Sequence, residues 1–251
     1  MDPIYFHVPF ADKAKAKGLG GRWDPTHRLW FAPDLLTANR LGKYWKAVSQ
    51  IEPITELPGE DRSFGGNDLF IDLIPASCWF VNVRYCIEPE DWNRLGLGIQ
   101  QRAGFKCEIC GATQNKDAGL FLEAHERWHF DEATGTQELK RIICLCSMCH
   151  RTTHYGYAQV VGEEAKVRDH FMSVNKVSVP ELDAHVREAY EIWNQRKDHQ
   201  WKLDLSIITN AGIRLKSKPK ARPTIKDEDQ SQEGLTIEEV VDVEDFISRA
   251  F

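Results

Sequence analysis

Apolar positions recur with strand-like or helix-like spacing from the start of the chain to about residue 212, and beyond that the pattern fades. Residues 4–8 alternate around Phe6 and read as a short strand, and 11–17 read as a lysine-rich helix that Gly18, Gly20 and Gly21 break. Arg22-Trp23-Asp24-Pro25, followed by Leu29-Trp30-Phe31, predicts a β-hairpin. Residues 70–74 and 79–85 read as strands on either side of Pro75. Pro89 opens a helix on which Trp92, Leu95 and Ile99 share a face at i, i+3 and i+7. Residues 120–125 and 139–145 predict a pair of strands, 150–154 a helical turn, 163–174 and 181–201 helices, and 202–209 a returning strand.

These elements predict an α+β chain. Residues 1–50 form a small basic α/β module, and 51–67, with two prolines and three glycines, form a linker. Residues 68–212 form the main domain. Residues 213–251 form a flexible linker, basic over 216–223, and then an acidic tail in which Thr236-Ile-Glu-Glu239 is a capping-box signature ahead of Val240, Val243, Phe246 and Ile247. The 42% hydrophobic fraction supports a packed core, yet no apolar run approaches the ~20 residues of a membrane span. The opening residues show no basic segment followed by an apolar one, so the expectation is a cytoplasmic protein without a leader or membrane contact. The net charge of −6 disfavours indiscriminate polyanion binding. That charge is uneven: residues 1–50 are basic and those beyond Pro223 strongly acidic, so a nucleic-acid-binding body remains compatible with it.

Seven cysteines in such a chain point to metal rather than disulfides. Cys107-Glu-Ile-Cys110-Gly and Cys146-Ser-Met-Cys149-His are two C-x-x-C knuckles, and each can aim two thiolates at one tetrahedral Zn2+. Cys78 and Cys86 lie in an apolar stretch and read as core.

Between and after the knuckles lie Glu123, His125, Glu126, Arg127, His129, Arg141, His150 and His154, polar groups that a structural zinc does not need. His150 and His154 share a helix face at i and i+4, and a strand bearing His125 could supply a third ligand to a second ion. The order C-x-x-C, Leu122-Glu-Ala-His-Glu126, then Leu145-Cys146-x-x-Cys149-His150-x-x-x-His154 resembles zinc-stapled HNH endonucleases, the ββα-metal or His-Me finger group, over roughly residues 105–156. The resemblance implies a hairpin and helix clamped by the four-cysteine zinc, cleaving DNA phosphodiesters with one Mg2+ or Mn2+. It places His125, His150 and His154 as ligands of the catalytic ion, and Glu126 as the general base. Two departures stand out. Glu126 occupies a position where the family has His, and the motif's middle Asn is missing, with Arg141 near its expected place and Gln137 the one side-chain amide in the interval. Arg141 or Arg127 could clamp the scissile phosphate.

In the first module, Val8-Pro9-Phe10, Arg22-Trp23-Asp24-Pro25 and Trp30-Phe31-Ala32-Pro33 resemble a small uncharacterised module found beside primases and relaxases of mobile elements. Lys13, Lys17 and Arg22 there, with Arg151 and Arg127 in the main domain, are candidates for phosphate contact, and Trp23 for base stacking. Three functional classes follow: a metal-dependent DNA endonuclease of phage or mobile-element origin, a catalytically degenerate zinc protein that binds nucleic acid, and an interaction factor whose acidic tail docks on a protein partner.

Overall fold

The computed structural model describes residues 3–24, 29–50, 52–75, 78, 82–115 and 118–216. The predicted acidic tail beyond residue 216 and its amphipathic stretch lie outside the described residues. The architecture is mixed α+β, built around two small sheets and two hydrophobic clusters.

The first sheet joins β1 (Ile4–Phe6), β2 (Arg22–Asp24) and β3 (Leu29–Ala32) in the order β1-β3-β2, all antiparallel, with α1 (Lys13–Gly18) inserted between β1 and β2. α2 (Leu35–Leu41) follows β3, started by Asp34, whose carboxylate accepts the Thr37 N–H at 2.7 Å. Phe6, Ala16, Ala32, Leu41 and Trp45 are buried together, so the period-2 face of the strands and the small residues of the helices close one minor core.

Segment 52–67, read from its prolines and glycines as a linker, is instead packed against the main core. Leu57 is buried there, and the Ile54 N–H donates to the Arg94 carbonyl. Glu60 takes a bidentate ion pair from Arg102 at 2.6 and 2.7 Å while accepting the Ile142 N–H at 2.8 Å. A composition rich in turn formers marks irregular backbone, and here its buried carboxylate anchors that backbone to a helix and a strand.

Residues 70–74 join no sheet among the described residues, and 83–86 form a short helix, α3 (Val83–Cys86), rather than a strand. Asn82 turns the chain by accepting the Tyr85 N–H, a local side-chain bond that competes with strand geometry. α4 (Pro89–Arg102) is as its periodicity predicts, with Leu95 and Ile99 fully buried. Gly98 on this helix faces the Ile54 carbonyl so closely that a Cβ would lie 1.9 Å from its oxygen.

β4 (Leu122–Asp131) and β5 (Thr136–Cys146) form a long antiparallel hairpin, longer than either predicted strand. Its turn is closed by Asp131, which accepts the N–H groups of Ala133 and Thr134. β5 leads directly into α5 (Ser147–Thr153), followed by α6 (Tyr155–Val160), α7 (Glu164–Asn175) and α8 (Val179–Arg196), the last begun by a Ser178/Glu181 capping box. β6 (Lys202–Asp204) adds in parallel to β5, but the predicted strand ends there. Asp204 accepts the Ser206 N–H and hydroxyl and starts α9 (Ser206–Asn210). Among the described residues no helix is long and apolar enough to cross a membrane.

Candidate metal centre

β5 and α5 bring the two knuckles together. Gly111, at φ 74°, lets its N–H reach back to the Cys107 carbonyl at 2.9 Å and closes the first turn. The second knuckle is the start of α5: Cys146 is its N-cap residue, and its sulfur accepts the Cys149 N–H at 3.4 Å. One sulfur from each of Cys107, Cys110, Cys146 and Cys149 lies within 4.8 Å of all the others. Proton loss from Cys107 is favoured because the Cys146 and Cys149 thiols hydrogen bond to its sulfur, and the anion so formed pushes Cys146 up to about 12 and Cys149 upward as well. Four sulfurs at this spacing could hold a cation, and a tetrahedral thiophilic ion such as Zn2+, which would draw the protons off, fits the set. Cys144 is buried beside them, its thiol pushed up to about 12 by burial, and is outside the cluster.

A second cluster forms one helical turn later. His125 on β4 and His150 and His154 at the end of α5 place one nitrogen each within 4.8 Å of one another. The three rings meet edge to face, with centroids 4.8 to 5.0 Å apart. His125 is 4% exposed and its buried Nδ1 has no hydrogen-bond partner, an orphan that a cation would satisfy. Burial and the neighbouring imidazoles hold its pKa well below the ordinary value and bring His154 down to about 3. His125 and His154 are thus neutral, with lone pairs to donate. Glu123, two residues before His125 and on the same strand face, places Oε2 3.1 Å from His150 Nδ1. That contact orients the ring and directs its Nε2 to the ligand role. Sequence spacing gave Glu123 no task, since nothing in the chain pairs it with a residue 27 positions later.

Other predicted site residues lie elsewhere. Glu126 projects from the opposite face of β4, where its Oε1 accepts the Val83 N–H at 3.0 Å. Burial raises its carboxyl pKa, while nearby His150 and Arg84 favour the ionised form. Arg141 and Arg127 are corrected as phosphate clamps. They pair across the hairpin, each is 3% exposed, and both donate to the carbonyls of Phe64 and Gly66. Arg127 also reaches the Asp68 carbonyl and stacks on Phe70, and Arg141 binds Glu108 at 3.0 Å. Gly65 makes this clasp possible, because a Cβ there would fall 2.6 Å from the Arg127 guanidinium. Their Nη1 donors are committed to main-chain carbonyls that no spacing rule could forecast.

Gln137 is buried near the far end of the hairpin, opposite Phe130 and Leu203, and so does not replace the missing Asn. His129 is reached by β4, but the register shift between Arg127 and Trp128 leaves it exposed against Phe64 rather than with His125. Arg151 is ion-paired to Glu163 and lies over Tyr157. In the first module Lys17, Arg22 and Trp23 are exposed, while the Lys13 ammonium sits 3.8 Å above the Phe10 ring.

No curated protein and no solved structure matches the chain. Residues 4–46 match a family described as a domain of unknown function (DUF5710), which covers the β1-β3-β2 sheet with α1 and α2 and contains neither the cysteine nor the histidine cluster.

Proposed function

We propose that the chain is an HNH-like, metal-dependent endonuclease acting on DNA. The observation that carries this reading is the imidazole triad of His125, His150 and His154, with its orphaned, buried His125 nitrogen, set on a hairpin and helix beside a four-cysteine cluster. A divalent ion bound there would supply Lewis-acid stabilisation to a phosphate oxygen and to the departing oxygen. Three imidazole ligands without a carboxylate suit Zn2+, Ni2+ or Fe2+ better than the Mg2+ or Mn2+ expected from the resemblance.

The chain's own groups do the remaining work. His125 and His150 fix the ion's position, with Glu123 holding the His150 tautomer. Glu126, its pKa raised by burial, takes a proton from water through the oxygen that Val83 does not hold. With Arg127 and Arg141 committed elsewhere, the exposed Arg84, close to Glu126, is a guanidinium that can meet a phosphate.

A second reading, a catalytically silent nucleic-acid-binding zinc protein, is favoured by one observation: the Glu126 carboxylate leaves the strand on the face away from the imidazoles. Plasmid nicking with Zn2+, Ni2+ and Mn2+ separates the two. Wild-type protein is expected to cleave, His150→Ala to lose both cleavage and one bound ion, and Glu126→Gln to lose cleavage while keeping the ion. Retained DNA binding without cleavage under every ion would establish the silent reading instead.

A further inference from the structure

We infer that His170 is a positioning residue of the four-cysteine site, donating its Nε2–H to the Cys149 sulfur and so tying α7 to the ion the thiolates hold. The inference rests on reading those cysteines as a metal site. His170 Nε2 lies 3.2 Å from Cys149 Sγ, within hydrogen-bond reach for sulfur. The ring is held there by its own helix: Val167 and Phe171, on either side of it, are buried in the core at 0% and 3% exposure. A metal-bound thiolate has no proton and can only accept, so the hydrogen must reside on the imidazole nitrogen. Four thiolates around one divalent cation carry excess negative charge, and an N–H aimed at one sulfur draws off part of it. The same helix ends at Asn175, whose side chain donates to the Leu69 carbonyl at 2.6 Å and accepts the Leu69 N–H at 3.1 Å. α7 thereby connects the cysteine cluster to the segment at Leu69.

Cobalt substitution in the full-length protein tests the assignment. His170→Ala should move the thiolate-to-cobalt charge-transfer band to longer wavelength and weaken ion retention against a chelator by about 10- to 100-fold, the usual cost of losing an outer hydrogen bond to a ligand. His170→Gln, which keeps an amide N–H at similar reach, should recover most of both. A purely structural role would leave the band unmoved. Should His170→Ala fail to fold, wild-type protein loaded with 113Cd gives the same answer, because scalar coupling from the ion to the His170 ring proton across the sulfur is expected. An unmoved band in His170→Ala, or no such coupling in the cadmium form, overturns the inference while leaving the metal site intact. A wild-type protein that takes up neither cobalt nor cadmium overturns the metal reading itself, and this inference with it.

Discussion

Acid should destabilise the ion-free protein through its crowded imidazoles, and replacing His154 should blunt that sensitivity. The His154 ring sits with its centroid 4.9 Å from His125 and 4.8 Å from His150, and burial together with the His150 charge brings its pKa down from 6.5 to about 3. In the unfolded chain the ring returns to the ordinary value. As the pH falls through 6.5 the unfolded state therefore takes up the proton first, and the folded state loses ground until the pH reaches about 3. Above 6.5 the contribution is fully present. Within the window each pH unit costs about 1.4 kcal/mol for one ring, so a drop to about pH 4.5 removes about 2–3 kcal/mol through His154 alone. His125, lowered in the same direction, adds to the loss. The assay is urea unfolding followed by tryptophan fluorescence, in chelator and reductant, at neutral pH and at about pH 4.5, for wild type and His154→Gln. Acid-sensitive groups outside the triad act in both proteins and cancel in the comparison, while relief of His125 by the loss of its His154 neighbour adds to the difference. Wild type should lose about 2–3 kcal/mol more than the variant. Equal losses would refute the claim that this imidazole is held neutral by its surroundings.

The other two predictions concern the packing that positions the hairpin. Glu60→Ala strands the Arg102 guanidinium and the Ile142 N–H in the interior, and the loss of one partner from a buried pair should cost about 3–5 kcal/mol. Differential scanning calorimetry should register this as a fall in Tm on the order of 10 °C, and an unchanged Tm would show that segment 52–67 is not anchored as described. Gly98→Ala forces a methyl to within 1.9 Å of the Ile54 oxygen, so helix α4 must retreat from segment 52–67. Chemical denaturation should report a loss of about 3 kcal/mol or more, beyond the helix-propensity gain of alanine. A neutral substitution would mean that the two backbones are not in contact.

The two side-chain clusters were legible in the sequence where chemistry and spacing are local. The C-x-x-C knuckles and the i, i+4 pair of His150 and His154 gave both clusters, since a turn or a helix fixes their geometry. The long hairpin was half legible: strand propensity marked its inner ends, while the outer ends depend on the Asp131 turn and on pairing with β6. Arg127 and Arg141 were misread because a basic residue near a site looks available until the carbonyls of Phe64 and Gly66, some 60 to 77 positions away in sequence, are seen to consume it. The same holds for Glu60 and Arg102, whose pairing spans 42 positions and turns an apparent linker into an anchor. Glu123 and His170 were missed for the same reason, because their partners sit on other elements.

The seven residues of α5 are bracketed by Cys146 and Cys149 at one end and by His150 and His154 at the other. An α-helix advances about 100° per residue, so inserting or deleting a single position between Cys149 and His150 would swing the imidazoles about a quarter turn out of phase with the sulfurs. Side-chain substitutions on this helix away from Cys149 and His150 leave that phase intact, whereas changes in its length do not. The stretch from 146 to 154 should behave as a fixed-length spacer in any variant of this chain that keeps both clusters.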